Sequence, residues 1–251
     1  MGTGAITQNI DVAQLVLYAF WIFFAGLIYY LVRENHREGY PMETDNGVKV
    51  TGWPIPEQKT YLLGHGDEVQ TPRYEAPESN AGSEPAHRWA GAPRVPVGDA
   101  LLAGVGPGAW ANRADRPDVN FEGVPKLMPL RAAPDYAVQR GDTDPRGLPV
   151  VGADGVAAGQ VVDLWVDIAE SLFRYAEVEL AAGGRRVLLP MNFARVRRNE
   201  VRVGALLGSQ FGSVPGTRQA DVVTMLEEEK IQAYYGGGML YAEPGRTEPL
   251  L

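Results

Sequence analysis

The sequence predicts an α+β protein with four parts in chain order: a single N-terminal transmembrane helix, an extended proline-rich segment, a small antiparallel β-barrel and a C-terminal helix. Three observations carry this. Residues 12–32, VAQLVLYAFWIFFAGLIYYLV, hold no charged side chain. Fifteen of the nineteen prolines fall between Pro41 and Pro149. From Gly147 short alternating apolar–polar runs recur between Gly, Asp and Asn turn residues, and a helix-periodic run follows them.

At about 1.5 Å per residue, 12–32 spans roughly 31 Å, the thickness of a bilayer hydrocarbon core. A buried core helix rarely stays apolar on every face. No Lys or Arg precedes the run and no small-residue cleavage site follows it, so it reads as an anchor rather than a cleaved leader. Residues 1–11 carry only Asp11, whereas Arg33 and Arg37 follow the span. The positive-inside rule therefore places 1–11 outside and everything after Arg33 in the cytoplasm. Tyr29 and Tyr30 fall at the cytoplasmic end, where amphipathic rings favour the headgroup layer. Trp21 lies mid-span and reads as a contact for lipid or another helix. Trp21, Tyr29, Tyr30, Arg33 and Arg37 are the candidate anchor residues.

The proline density of 41–149 forbids long helices and most central strands. The runs WPIP (53–56), TYLLG (60–64), AWANRA (109–114) and KLMPLRA (126–132) bring large apolar groups that a free linker does not need. A disordered linker and an extended chain laid across a partner are both open readings of this segment; the apolar groups favour the second over 33–146, with 72–98 its most mobile stretch. In 147–218 the runs AGQVVDLWVDI, FRYAEVEL, RRVLLPM, FARVRR and EVRVGAL are separated by turn signals, as in a small barrel or curled sheet. In 219–251 Thr224 and Glu227 fit a capping box, and Gly236–Gly238 reads as the helix stop.

Composition removes several function classes. With no cysteine, the chain makes no disulfide, zinc-thiolate site, iron–sulfur cluster or CxxCH haem attachment. Its three histidines lack metal-ligand spacing, so no metal site is expected, and no nucleophile–base pair suggests an enzyme. A net charge of −8 argues against nucleic acid as a partner.

Carboxylates, in contrast, are plentiful. VDLWVDIAESLFRYAEVEL (162–180) alternates like two strands joined by a turn and carries five of them with one arginine. Arg174 falls in the same row as Leu172, Ala176, Val178 and Leu180. A charge in such a row needs a partner, because an unpaired buried charge costs several kcal/mol; Asp167 and Glu170 at the turn are nearest. The trio reads either as an ion pair closing the mouth of the barrel or as a proton-handling group. Asp163, Glu177 and Glu179 read as a solvated outer face, as does the run Glu227 to Lys230. Tyr234, Tyr235 and Tyr241 read as packing residues.

The anchor FWIFFAGLIYYL, REGYP (37–41), GVGPGAW (104–110), DPRGLPV (144–150), DLWVDI (163–168), FRYAEVEL and LEEEKI…YYGGGMLYA occur in order through almost the whole chain. Together they resemble the H subunit of the purple-bacterial photosynthetic reaction centre, and the small barrel resembles the PRC-barrel. The resemblance implies a subunit that binds no cofactor itself and carries no electron. It implies a cap on the cytoplasmic face of the L and M subunits, which hold bacteriochlorophyll, bacteriopheophytin, quinones and a non-haem iron. Such a cap shields the quinone sites and helps conduct protons to the secondary quinone. The setting implied is the inner, intracytoplasmic membrane, with membrane lipids, light-harvesting antenna and, where present, a cytochrome subunit as neighbours. Asp167, Glu170 and Arg174 match positions involved there in proton delivery or its electrostatics. The proton entrance departs from the pattern: some members carry an Asp and two surface histidines, whereas RPDVNFEGVPKLMP has only Asp118 and Glu122 as ionisable stand-ins. A different reading, a membrane-tethered PRC-barrel adaptor for an unrelated partner, leaves the apolar proline-rich segment without a purpose.

Overall fold

The computed structural model describes residues 4–6, 11–44, 48–50, 52–64, 66–72, 82–89 and 91–247. The chain divides into two compact units, Met1–Glu78 with Trp89–Gly91, and Ser79–Arg88 with Ala92–Leu251.

The first unit is built on α1 (Val12–Asn35), capped by Asp11, whose side chain accepts from the Gln14 N–H at 2.7 Å. No residue of α1 is buried, which leaves its apolar girdle to lipid or to other chains. Beyond the helix, β1 (Met42–Glu43) pairs with β2 (Lys49–Val50), and β3 (Lys59–Leu62) with β4 (Glu68–Thr71), all antiparallel. Strands this short leave carbonyls unpaired. Arg37 takes up two of them: its buried guanidinium forks onto Glu34 at 2.7 and 3.1 Å and donates to the carbonyls of Glu57 and Thr71. The extended segment is thus organised as short hairpins. Of the stretch expected to be most mobile, 73–81 lies outside the described residues.

In the second unit, β5 (Ser83–Pro85) pairs with β6 (Arg94–Pro96). The main sheet holds β7 (Leu127–Pro129), β8 (Pro149–Val151), β9 (Ala157–Asp167), β10 (Leu172–Leu180), β11 (Arg186–Pro190), β12 (Ala194–Val196) and β13 (Val201–Val203), in the order β11-β10-β9-β8-β13-β12. The eleven-residue β9 is its spine. β10 covers one edge, while β8 and β7 share the other, β8 on the first half and β7 on Leu127↔Asp167 to Pro129↔Trp165. One pair departs from the expected antiparallel pattern: β13 runs parallel to β8. The long path through β9 to β12 supplies the crossover that a parallel pair requires. Register shifts at Val150/Val151, Phe173/Tyr175 and Glu177/Val178 are bulges, and each adds local twist, curling the sheet into a half-barrel. Its core is filled by Trp165, Tyr175, Val161, Leu189, Leu206 and Phe211.

α2 (Met225–Tyr241) starts at the expected capping box, Thr224 with Glu227, and packs Ile231, Tyr234 and Tyr235 into that core. The glycine run does not stop it. The helix continues through Gly236–Gly238 to Tyr241, and the glycines serve close packing instead. A Cβ on Gly236 would stand 2.6 Å from the Pro107 carbonyl oxygen, and one on Gly238 would strike that of Ala205.

The expected solvated outer face also needs correction. Asp163 and Glu177 are only 7% and 4% exposed, and they stand directly opposite in the β9–β10 register. Like charges in that position repel. The segment after β7 lies over them, and Arg131 from its short helical turn donates Nη1 to Asp163 at 2.9 Å and to Glu177 at 2.6 Å. Trp165 Nε1 and Arg186 complete the Glu177 shell at 3.1 Å each. Arg131 also holds Asp221, at 2.7 Å. Burial works against the guanidinium charge, but the hydrogen bonds to Glu177, Asp221 and Asp163 outweigh it, so its pKa is raised. Glu179 alone of the three stays near the surface, against Arg186 at 3.3 Å.

Arg131→Met leaves two buried carboxylates facing each other and is expected to cost about 3 kcal/mol in chemical denaturation of the detergent-solubilised chain. Adding Glu177→Gln should restore much of that. A loss under about 1 kcal/mol, the range of exposed pairs, would show that the clamp does not hold the fold.

Candidate functional site

The tip of the β9–β10 hairpin gathers the charged residues singled out in the sequence. Asp167 ends β9 and is tied into the turn: Oδ1 accepts from the N–H groups of Ala169 at 3.0 Å and Glu170 at 3.1 Å. Its Oδ2 takes Arg174 at 3.2 Å. Arg174 is the extra residue of the bulge between Phe173 and Tyr175. The bulge removes it from the apolar row and leaves its head partly in water, reaching Glu170 at 3.2 Å as well. The expected pairing is therefore present, but its two acids differ. The Asp167 side chain is 6% exposed and that of Glu170 is 55% exposed. Asp167 is a fixed turn cap, whereas Glu170 stands open to solvent.

The loop 118–126 brings further charges to the same place. It closes through a Val119↔Pro125 bridge and through Asn120, whose side chain accepts from the Glu122 and Val124 N–H groups at 3.0 and 2.9 Å. Asp118 pairs with Lys126 Nζ at 2.8 Å. The Lys126 carbonyl accepts from the Ile168 N–H at 2.9 Å, which fixes this loop to the hairpin turn. The hydrogen bond that Lys126 donates to Asp118, with the charges of Asp118, Asp167 and Glu170 nearby, raises the Lys126 pKa against its partial burial. Glu122 is exposed and has no ion-pair partner among the described residues. Asp118, Asp167, Glu170 and Arg174 thus form one set around Lys126, and Glu122 stands outside it.

One member was missed in the sequence. Glu228, expected on a solvated face, accepts from the Tyr175 hydroxyl at 2.8 Å, and Gln232 donates to that hydroxyl at 3.3 Å. Burial raises its carboxyl above the ordinary 4.5, against the hydrogen bond from Tyr175 and the charges of Arg174 and Arg113. Burial likewise pushes the Tyr175 hydroxyl far up. The signal was available: once Thr224–Glu227 fixes the helix start, Glu228 shares a stripe with Ile231 and Tyr235 at helical spacing. Arg131 and Lys126 gave no such signal, because both sit in chain without a periodic pattern.

Of the anchor residues, Trp21 packs against Phe20 and Phe24 on its own helix, with ring centroids 5.6 and 5.9 Å apart. Tyr29 meets Trp53 edge-on at 5.4 Å, Tyr30 is exposed and Arg33 is half-buried in the last turn. Arg37 is engaged inside the first unit, as described above. Among the described residues no group of His, Asp and Glu is arranged to hold a metal ion.

An apolar helix long enough to span a bilayer and a curled sheet of this order fit a membrane-anchored protein with a barrel-type domain. The family model described as the PRC-barrel domain matches residues 138–206. The model described as the photosynthetic reaction centre, H-chain N-terminal region, matches residues 4–132, just over half of the chain. The chain belongs to the reaction-centre H-chain family. Members are non-enzymatic components of a complex whose pigments sit on other subunits, and membership implies association with the L and M subunits.

A carboxyl whose folded pKa is raised favours the fold most in its protonated form. The Glu228 contribution is full below about pH 4.5 and is lost as pH rises through the folded value. Glu228→Gln removes this loss, so the variant should gain stability relative to wild type as pH rises above about 4.5. Parallel stability curves across that range would place Glu228 in a water-like environment.

Proposed function

We propose that the chain caps the cytoplasmic face of the L and M subunits, shields their quinone sites from water and helps deliver protons to the secondary quinone. In this reading residues 1–11 are periplasmic, 12–32 cross the inner membrane, and 33–146 run along the partner subunits, with Leu127–Pro129 and the turn after it joined to the sheet of the body. The barrel, 147–218, and the helical end, 219–251, form the cytoplasmic body. Bacteriochlorophyll, bacteriopheophytin, quinones and the non-haem iron belong to the partners, with antenna and lipids around the complex and a cytochrome subunit where present.

The observation that carries the proton role is the cluster of Asp118, Lys126, Asp167, Glu170, Arg174 and Glu228, in which acids alternate with cations. Such alternation suits proton passage. The carboxylates can accept protons, and the cations beside them offset the charge of the cluster. Asp118 and Glu122 are the surface acids that capture protons in place of the absent histidines. Glu170 relays them, with Asp167 and Arg174 setting its charge balance. Glu228, whose carboxyl is raised by burial, holds a proton at higher pH than an exposed acid does. The Tyr175 hydroxyl keeps its own proton and orients that carboxyl.

Glu170→Gln keeps the shape of the turn and removes the titratable group. In flash spectroscopy of the assembled complex, the first electron transfer to the secondary quinone should stay near the wild-type rate, because it needs no proton delivered to the quinone. The second, proton-coupled transfer should slow by about tenfold or more. Wild-type rates for both steps between about pH 6 and about pH 9 would reduce the trio to a structural ion pair. The capping role has a simpler check: a complex purified through this chain should show bacteriochlorophyll bands in the near infrared. A colourless complex would favour the adaptor reading.

A further inference from the structure

The edge of the main sheet formed by β12 and β13 has an arrangement that neither capping nor proton delivery uses. In a chain of net charge −8, this hairpin carries Arg195, Arg197, Arg198 and Arg202, with Glu200 the one acid among them. Arg195 and Arg202 stand directly opposite in the β12–β13 register. A like-charge pair in that position is unfavourable unless an anion offsets it. Arg202 donates to the Ala153 carbonyl at 3.0 Å, and Arg197 pairs with Glu200 at 3.2 Å. Arg195 and Arg198 have no hydrogen-bond or ion-pair partner among the described residues. Arg195, Arg197 and Arg202 line one open cleft of about 430 Å³ with Asn192, Phe193 and Met239. Met239, on α2, is 58% exposed.

The cleft therefore has two kinds of wall. Three guanidiniums present forked N–H donors of the kind that match phosphate oxygens. Phe193 and Met239 supply apolar surface beside them. A small soluble anion would engage the arginines and leave the apolar wall wet. An amphiphile with an anionic head satisfies both, and the membrane that holds α1 is a concentrated source of such molecules. We propose that this cleft binds the head group of an anionic phospholipid, with its phosphate on Arg195 and Arg202 and the start of its acyl chains against Met239 and Phe193. Each arginine close to an anionic lipid surface is expected to change the binding constant about fivefold.

Hydrogen exchange of the full chain in lipid nanodiscs tests this. Discs of phosphatidylcholine alone are compared with discs containing about a third phosphatidylglycerol. Exchange across 192–204 should slow in the anionic discs and return to the neutral-disc rate in Arg195→Gln/Arg202→Gln. Because Arg202 also holds the Ala153 carbonyl, the single Arg195→Gln variant is measured as well, and should lose about fivefold in lipid affinity. Unchanged exchange of β9 and β10 in both variants confirms that they remain folded. Equal exchange of 192–204 in the two kinds of disc overturns the proposal. So does protection of equal size from inorganic phosphate in neutral discs, which would make this a soluble-anion site. Protection that needs purified partner subunits, whatever the lipid, overturns it in favour of an acidic protein contact.

Discussion

Two carboxylates, Asp163 and Glu177, face each other across β9 and β10 out of reach of water, and the guanidinium of Arg131 holds both. Much of the second unit is positioned by that contact. Arg131 belongs to the turn that follows β7, so the clamp presses β7 onto the far half of β9. That pairing sets Lys126 beside the hairpin turn, where its carbonyl takes the Ile168 N–H. Its third acid, Asp221, lies in the approach to α2, close before the Thr224 cap and Glu228. One side chain thus joins the covering segment, the sheet and the helix start. These are the three segments that supply the charged cluster.

Magnitudes separate what builds the hairpin tip from what is available for chemistry there. An exposed ion pair such as Arg174–Glu170 contributes at most about 1 kcal/mol, so the fold has little stake in Glu170. Asp167 is different. It is buried and caps two backbone N–H groups of the turn, so its loss would disturb the geometry that presents Glu170. Glu228 is different again, since burial raises its carboxyl while the Tyr175 hydroxyl orients it. Within one hairpin and the helix beside it, the acids are divided into a buried turn cap, a solvent-exposed group and a group whose carboxyl is raised by burial. The bulge that displaces Arg174 from the apolar row makes this division possible, because an in-register arginine would be directed with Ala176 and Val178 toward the core.

The chain's overall negative charge conceals a local separation of sign. Acids collect at the hairpin tip and along the start of α2, whereas the β12–β13 edge gathers arginines that lack enough acids to neutralise them. The same fold thereby carries an acidic surface and a basic one, on different strands of one sheet.

Features that depend on the residues alone were legible from the sequence. α1 follows from apolarity on all faces, the strands of the half-barrel from period-two runs between turn residues, and the start of α2 from Thr224 and Glu227. The pairing of Arg174 with Asp167 followed from its place near the turn. What escaped was whatever depends on which segment covers a face. Alternation told which side Asp163 and Glu177 point to, but not that the irregular chain around Arg131 lies over that side. The glycine run looked like a stop because glycine ends helices, while its use here is to admit Pro107 and Ala205 against the helix backbone. Helical spacing placed Glu228 with Ile231 and Tyr235, yet only the sheet beneath it decided that the stripe would be buried. Local propensity and periodicity are written into short windows of sequence, whereas burial and pKa arise from contacts between segments that lie far apart along the chain.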